Sequence, residues 1–399
     1  MKFRKLQVLG LAGALVLGTA VSGKAMEAEK APEAKKPSIH LGLNAKFFFK
    51  HIGKMGKTTK IGFSNDYDHA QNVFYADEIK VEAEGEITKN IGFFGELEAS
   101  AEETEIGEAG INWEFYPGIQ VRLGKQRVPF MRYQITDEYT DLIPTIPGRY
   151  VGSLETPNID PYEIIEGNPY TVAPYGDGRV DAGAVIHGAL ADGMVRYNIG
   201  IFNEKEAYKG FEYTARIDFT PTMLGFKPEE AEVNGHVKDT YLGKKKVLNI
   251  GLAYDQEKDE ANDITRKGYT FDIFYEQKFN IWVPNFQFAY VNLKDSHYST
   301  KSNKGLDSKA WYVQGQLLYD EVIGVGKPAL ALRYDSIDSD ESGKVSKIGI
   351  ALNYYIGEKA KASAGVDFIS YDDEAKTKLT NANCEDSLTN FYLYFQVKF

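Results

Sequence analysis

Asn390-Phe-Tyr-Leu-Tyr-Phe-Gln-Val-Lys-Phe399 places an apolar residue at every second position: Phe391, Leu393, Phe395, Val397 and Phe399. Asn390, Tyr392, Tyr394, Gln396 and Lys398 fill the positions between them. Successive side chains of a strand point to opposite faces, so this period of two predicts a strand with one apolar and one polar side. About ten tilted residues of this kind span the hydrocarbon core of a bilayer. A strand of a soluble sandwich alternates in the same way, so the rest of the chain has to decide between the two.

The pattern recurs along the chain. Ile39 to Phe49 alternates first, followed by Ile79/Val81/Ala83/Ile87, Ile91/Phe93/Leu97/Ala99, Ala109/Ile111/Trp113/Phe115 and Ile119/Val121/Leu123. After a long gap come Val180/Ala182/Ala184/Ile186, Val195/Tyr197/Ile199/Ile201 and Phe211/Tyr213/Ala215/Ile217/Phe219. Eight more runs, beginning at Leu248, Tyr269, Phe286, Trp311, Leu330, Ile348, Ala362 and Phe391, complete the series. The total is about 16, an even number as single-chain bacterial barrels require. The expected fold is therefore all-β: a transmembrane antiparallel barrel over residues 39–399, closed by pairing of the last strand with the first.

Connection lengths test this independently, because such barrels alternate long outer loops with short periplasmic turns. Long connections lie near His51 to Asn72, Val128 to Gly178, Gln256 to Arg266, Asp295 to Ser308, Ile337 to Lys344 and Asp372 to Ser387. Short ones lie at Thr88 to Asn90, Tyr116 to Gly118, Ala191 to Gly193 and Gly357 to Ala360. Pro221 to Lys246 breaks the rule, being long where a short turn belongs. It is either an unusual periplasmic excursion or a hidden hairpin that would raise the strand count to about 18.

Residues 1–25 read as a secretory signal peptide: Lys2, Arg4 and Lys5, then an apolar stretch from Leu6 to Val21 that ends in small residues. Residues 26–38 are too polar to pack and read as a flexible leader. No later segment has the apolar length of a transmembrane helix. The 26 Tyr, 23 Phe and 38 Gly suit short Gly-punctuated strands, and a net charge of -11 argues against nucleic acid as a partner. A single cysteine, Cys384, excludes an internal disulfide and any multi-cysteine metal site. The sequence calls for no cofactor.

The faces opposite the apolar ones are charged. Glu82, Glu84, Glu96, Glu98 and Glu114 supply an acidic sector on the early strands, while Arg122, Arg179, Arg196, Arg216 and Arg333 supply basic positions. At the bilayer midplane Arg or Lys on the lipid face costs about 2–4 kcal/mol, so these faces must line a wet interior. The connection at residues 128–178 is the third outer loop and the longest, and structureless segments of that size are usually functional. Folded inward, it would constrict the lumen with Arg132, Asp137, Glu138, Asp141, Arg149 and Glu155, its prolines stiffening it.

Val121-Arg-Leu-Gly-Lys-Gln-Arg-Val-Pro-Phe130 resembles the Gly-x-x-x-x-Pro-Phe segment of the phosphate-selective porin O and P family of Gram-negative outer membranes. Arg179-Val-Asp-Ala-Gly183, Tyr197-Asn-Ile-Gly-Ile-Phe-Asn203 and Tyr213-Thr-Ala-Arg-Ile217 resemble it too, in order and spacing. The resemblance implies a trimeric 16-stranded barrel with an inward third loop and passive diffusion of anions such as phosphate. It also implies that lumen-lining basic residues guide the anion, and the matching positions are Arg122, Lys125, Arg127, Arg179, Arg196 and Arg216.

The glutamates depart from what a phosphate pore needs, since acidic rings favour cations and basic rings favour anions. A cation-preferring or non-selective porin is therefore the alternative. A structural or adhesive barrel, or an outer-membrane hydrolase using His187, is a weaker reading, because no nucleophile and base signature surrounds that histidine. The expected partners are small ionic solutes, outer-membrane lipid and lipopolysaccharide, further copies of the chain, and the barrel assembly machinery, which would read Phe399 as a terminal signal.

Overall fold

The computed structural model describes residues 38–53, 56–57, 66–67, 71–99, 104–116, 118–144, 180–203, 210–259, 263–299, 304–340, 343–375 and 387–399. The expected signal peptide and nearly all of the leader lie outside these residues, as do residues 145–178 of the third loop, with Arg149 and Glu155, and the expected lumen-lining Arg179.

The strands are β1 (Ser38–Ile52), β2 (Gly56–Lys57), β3 (Asp66–Tyr67), β4 (Gln71–Thr88), β5 (Ile91–Ala99), β6 (Thr104–Tyr116), β7 (Ile119–Arg127), β8 (Val180–Leu190) and β9 (Val195–Asn203). They continue with β10 (Phe211–Phe219), β11 (Val247–Asp259), β12 (Ile264–Glu276), β13 (Trp282–Ser299), β14 (Lys304–Tyr319), β15 (Lys327–Ser339), β16 (Gly343–Ile356), β17 (Ala360–Tyr371) and β18 (Ser387–Lys398). β2 and β3 pair only with each other. The other strands form one closed barrel of 16 strands in which each pairs antiparallel with its neighbours in sequence, and β18 closes on β1.

At that seam Phe47 lies opposite Phe395 and Lys46 opposite Gln396. The Phe399 amide and carbonyl exchange hydrogen bonds with Leu43 at 3.0 and 3.3 Å. The edge groups that an open sheet would leave unpaired are thereby satisfied.

Alternation along β18 is complete. Phe391, Leu393 and Phe395 are 41 to 57% exposed on the outer face, whereas Asn390, Tyr392, Tyr394 and Gln396 are at most 5% exposed and point inward. The same inversion runs around the wall: Leu41, Ile111, Trp113, Ile199, Leu252 and Leu352 are exposed, while Arg216, Asp272, Gln287, Asp335 and Lys347 are buried. A soluble barrel would do the reverse, so the outer face is built for lipid.

The expected count of about 16 barrel strands holds, and the alternative of a hidden hairpin that would raise it to about 18 falls away. Residues 220–246 hold a one-turn 3-10 helix at Thr222–Leu224 and no barrel strand. They leave the wall at the mouth where β1 begins and β18 ends, called here the turn mouth. The opposite mouth, from which residues 128–144 descend, is the loop mouth.

Candidate functional site

Two segments fill the bore from opposite mouths. Past Arg127 the third loop turns inward at Pro129, whose ring removes the donor that a ladder would need. Phe130, Met131, Tyr133, Leu142 and Ile143 are all buried. The wall holds this stretch by its backbone. Thr214 Oγ1 donates to the Pro129 carbonyl at 3.2 Å and Arg216 Nη1 to that of Phe130 at 2.8 Å. Arg127 Nη1 donates to the Thr136 carbonyl at 2.7 Å, and Asn353 Nδ2 to that of Leu142 at 2.7 Å. Gln396 and Lys361 donate to the carbonyls of Tyr139 and Asp141. The third loop therefore spans the lumen from β10 to β16–β18.

The segment from the turn mouth meets it. Thr136 and Val237 form a parallel bridge, with the Asp137 amide on the Val237 carbonyl at 2.7 Å and the Val237 amide on the Ile135 carbonyl at 3.0 Å. Arg132 grips Glu229 with two bonds of 2.7 and 2.8 Å, and its guanidinium lies 4.1 Å from the centre of the Phe274 ring. Burial opposes both charges, yet the pairing wins: Arg132 is held above and Glu229 below its ordinary pKa. The wall fixes the inserted segment through Thr240 Oγ1 to Glu276 at 2.7 Å, Asn285 Nδ2 to the Asp239 carbonyl at 2.7 Å and Asn249 Nδ2 to Glu229 at 2.5 Å. Irregular backbone at membrane depth is tolerated when enclosed in protein in this way.

The basic positions singled out by the sequence do not form one open row. Arg216 is clamped between Asp218 and Asp272, each at 2.7 Å, and Arg333 lies on Asp335 at 2.7 Å, with its guanidinium 3.8 Å from the Tyr312 ring centre. Arg127 bonds Glu108 at 3.0 Å. Arg196 lies 3.4 Å from Asp218. Arg122 is buried, with Nε on Gln126 at 2.5 Å. Lys125 shares the outward parity of Val121 and Leu123 and bonds the Ile106 carbonyl, so its assignment to the lumen is corrected.

Of the acidic positions, Glu82, Glu84 and Glu96 line a cavity of about 190 Å³ with Glu108, Asp137, Glu232, His236 and Lys398. Lys80 bridges Glu96 at 3.3 Å and Glu98 at 2.8 Å. Glu114 stands on β6 near the turn mouth, its amide on the Asn90 carbonyl at 2.8 Å. Within the third loop, Arg132, Asp137 and Asp141 lie in the lumen, and Glu138 belongs to the 3-10 turn Glu138–Thr140. Burial raises the Asp137 carboxyl, but the Lys398 ammonium at 2.9 Å outweighs it and holds the pKa at about 2.

A second cavity, about 860 Å³, lies on the far side of Tyr139 and Glu232 and is lined by Lys227, Lys238, Lys244, Lys245 and Lys361. Among the described residues no group of three His, Cys, Asp or Glu side chains is placed to hold a metal ion. Sequence reasoning missed Glu229, Glu232, His236 and Asp239. The signal was the unexplained length of their connection.

A closed barrel with an apolar outer wall, a polar bore and inward segments that narrow it defines a porin. The chain belongs to the phosphate-selective porin O and P family, whose pattern matches residues 57–399. An uncharacterized protein of Aquifex aeolicus (strain VF5) is 24% identical over 307 residues, covering 69% of this chain and 65% of the relative, just under two thirds of its length. Three solved structures share the fold. An anion-selective porin from Comamonas acidovorans has a TM-score of 0.58 at 11% identity, covering 91% of this chain and 100% of that one. The outer membrane channel DcaP of Acinetobacter baumannii has 0.53 at 12%, covering 91% and 98%. The trimer form of OmpT of Vibrio cholerae has 0.53 at 10%, covering 92% and 100%.

Proposed function

We propose that the chain is a passive diffusion channel of a Gram-negative outer membrane for small hydrophilic charged solutes, and not an enzyme. The observation that carries this reading is the inverted barrel, apolar outside and charged within, narrowed from inside. The family description and the anion-selective Comamonas relative favour anions such as phosphate. The pairing of Arg216, Arg333 and Arg127 with carboxylates, together with a separate cavity walled by Glu82, Glu84 and Glu96, favours cations instead. We take the cation preference as the reading that the geometry supports better.

The test is the reversal potential of the purified protein in a planar bilayer under a salt gradient: a cation sign supports this reading, an anion sign returns the phosphate reading, and a barrel with no conductance ends both. A homotrimer is proposed by analogy with the Vibrio OmpT trimer. Phe399 is proposed as the residue read by the assembly machinery, and outer-membrane lipid, with lipopolysaccharide around the loop mouth, as the surroundings of the apolar wall.

A further inference from the structure

The connection between β10 and β11 does more than narrow the bore. Its tip is a tight turn: the Gly235 amide bonds the Glu232 carbonyl at 2.8 Å, and the Glu232 amide bonds the His236 carbonyl at 2.9 Å. The tip is laid against the basic sector of the wall. At Gly235, φ is +93°, a backbone state that L side chains rarely adopt, and a Cβ there would overlap the Arg122 guanidinium. Only a cavity of about 20 Å³ remains between tip and wall, lined by Arg122, Arg127, Arg196 and His187 below and by Asn234, Gly235 and His236 above. That is room for one water, not for a hydrated anion.

His236 completes the cover. Asn234 Nδ2 donates to His236 Nδ1 at 3.2 Å, and His236 Nε2 donates to Glu108 Oε1 at 2.6 Å, the oxygen that also accepts from Arg127. The ring is thus held with its proton on Nε2, bridging the tip to the wall. On its other side the tip presents Glu232 to the cavity already walled by Glu82, Glu84 and Glu96.

We propose that the tip Glu232–Val237 is the selectivity element of this channel: it seals Arg122 and Arg196 from the solute path, leaves Arg127 neutralised by Glu108 in the wall of the acidic cavity, and adds its own carboxylate to that cavity. The solute class so favoured is small hydrated cations. This deepens the channel reading above and rests on it.

The experiment uses the full chain in planar bilayers, with two variants. One replaces Glu232–His236 by Gly-Gly, and the other is Glu232→Lys, which keeps the turn. Heat-modifiable gel mobility shows that each has folded. The expected result is a reversal potential shifted toward anions in both, with a larger single-channel conductance in the shortened variant. Wild-type conductance with a reversal potential unmoved by either variant would overturn the inference and leave the channel standing. Absence of conductance in all three would overturn the channel reading itself. A chemical readout is independent of conductance: in a Cys384→Ser background, Arg122→Cys should resist a water-soluble thiol reagent in the full chain and react once the tip is shortened, whereas Glu84→Cys should react in both. Equal labelling of Arg122→Cys with and without the tip would refute the seal.

Discussion

Arg132 and Glu229 tie the two inserted segments together. Neither side chain is reached by solvent, and each supplies the other's countercharge through two short bonds. Arg132→Ala would leave a carboxylate buried without its partner, a change that costs about 3–5 kcal/mol. We expect the variant to lose its heat-resistant folded band at a distinctly lower temperature, with Arg132→Lys between the two because one ammonium cannot reproduce the forked pair. Glu232 answers to pH. Burial first, then the neighbouring Asp137 charge, raise its carboxyl to about 7, against the opposing pull of Lys398 and Lys238 and with a small further push from Glu84. Its charge is present above that pH and lost below it, so cation preference should weaken as pH falls from about 8 to about 6. Reversal potentials taken across that range would check this, and Glu232→Gln should hold the low-pH value throughout.

The strands were the legible elements. Bilayer and bore impose opposite polarities on alternate side chains, so the period of two was visible in all 16 wall strands. The same parity shows why the site was harder to read. Lys125 falls on the outward beat of Val121 and Leu123, so counting in twos from either residue assigns it to the lipid face. Arg216 and Asp218, like Arg333 and Asp335, stand two apart on one inward face, so their pairing was also legible as local neutralisation. What no periodicity can show is where an irregular segment folds. Residues 220–246 are held by carbonyls, caps and long-range pairs that leave no repeat in the sequence. For the element itself the prediction is direct: Leu393→Arg, midway along the lipid face of β18, should cost about 2–4 kcal/mol, measured as a loss of folded yield in liposomes.

At the scale of the molecule the wall is a frame and the filling sets the path. Tyr139 and Glu232 line both the cavity of about 190 Å³, where carboxylates predominate, and the one of about 860 Å³, where five lysines stand among Glu230, Glu232 and Glu358, so the turn mouth presents one acidic recess and one of mixed charge. If three such barrels associate as proposed, channel closures under high voltage should come in triplets of equal step. Single, uncorrelated closures together with a monomeric mass in mild detergent would count against the trimer.

The seam between β1 and β18 bears on how such a molecule is made. Lys398 and Gln396 belong to the closing strand, yet they also hold Asp137 and Tyr139 of the third loop. The last strand is thus latched twice, to the wall beside it and to the cargo inside. The chain cannot seal an empty cylinder and furnish it afterwards without forgoing half of that latch. Wall closure and interior packing therefore belong to one cooperative event, set by contacts between the two ends of the sequence and inherently late and slow.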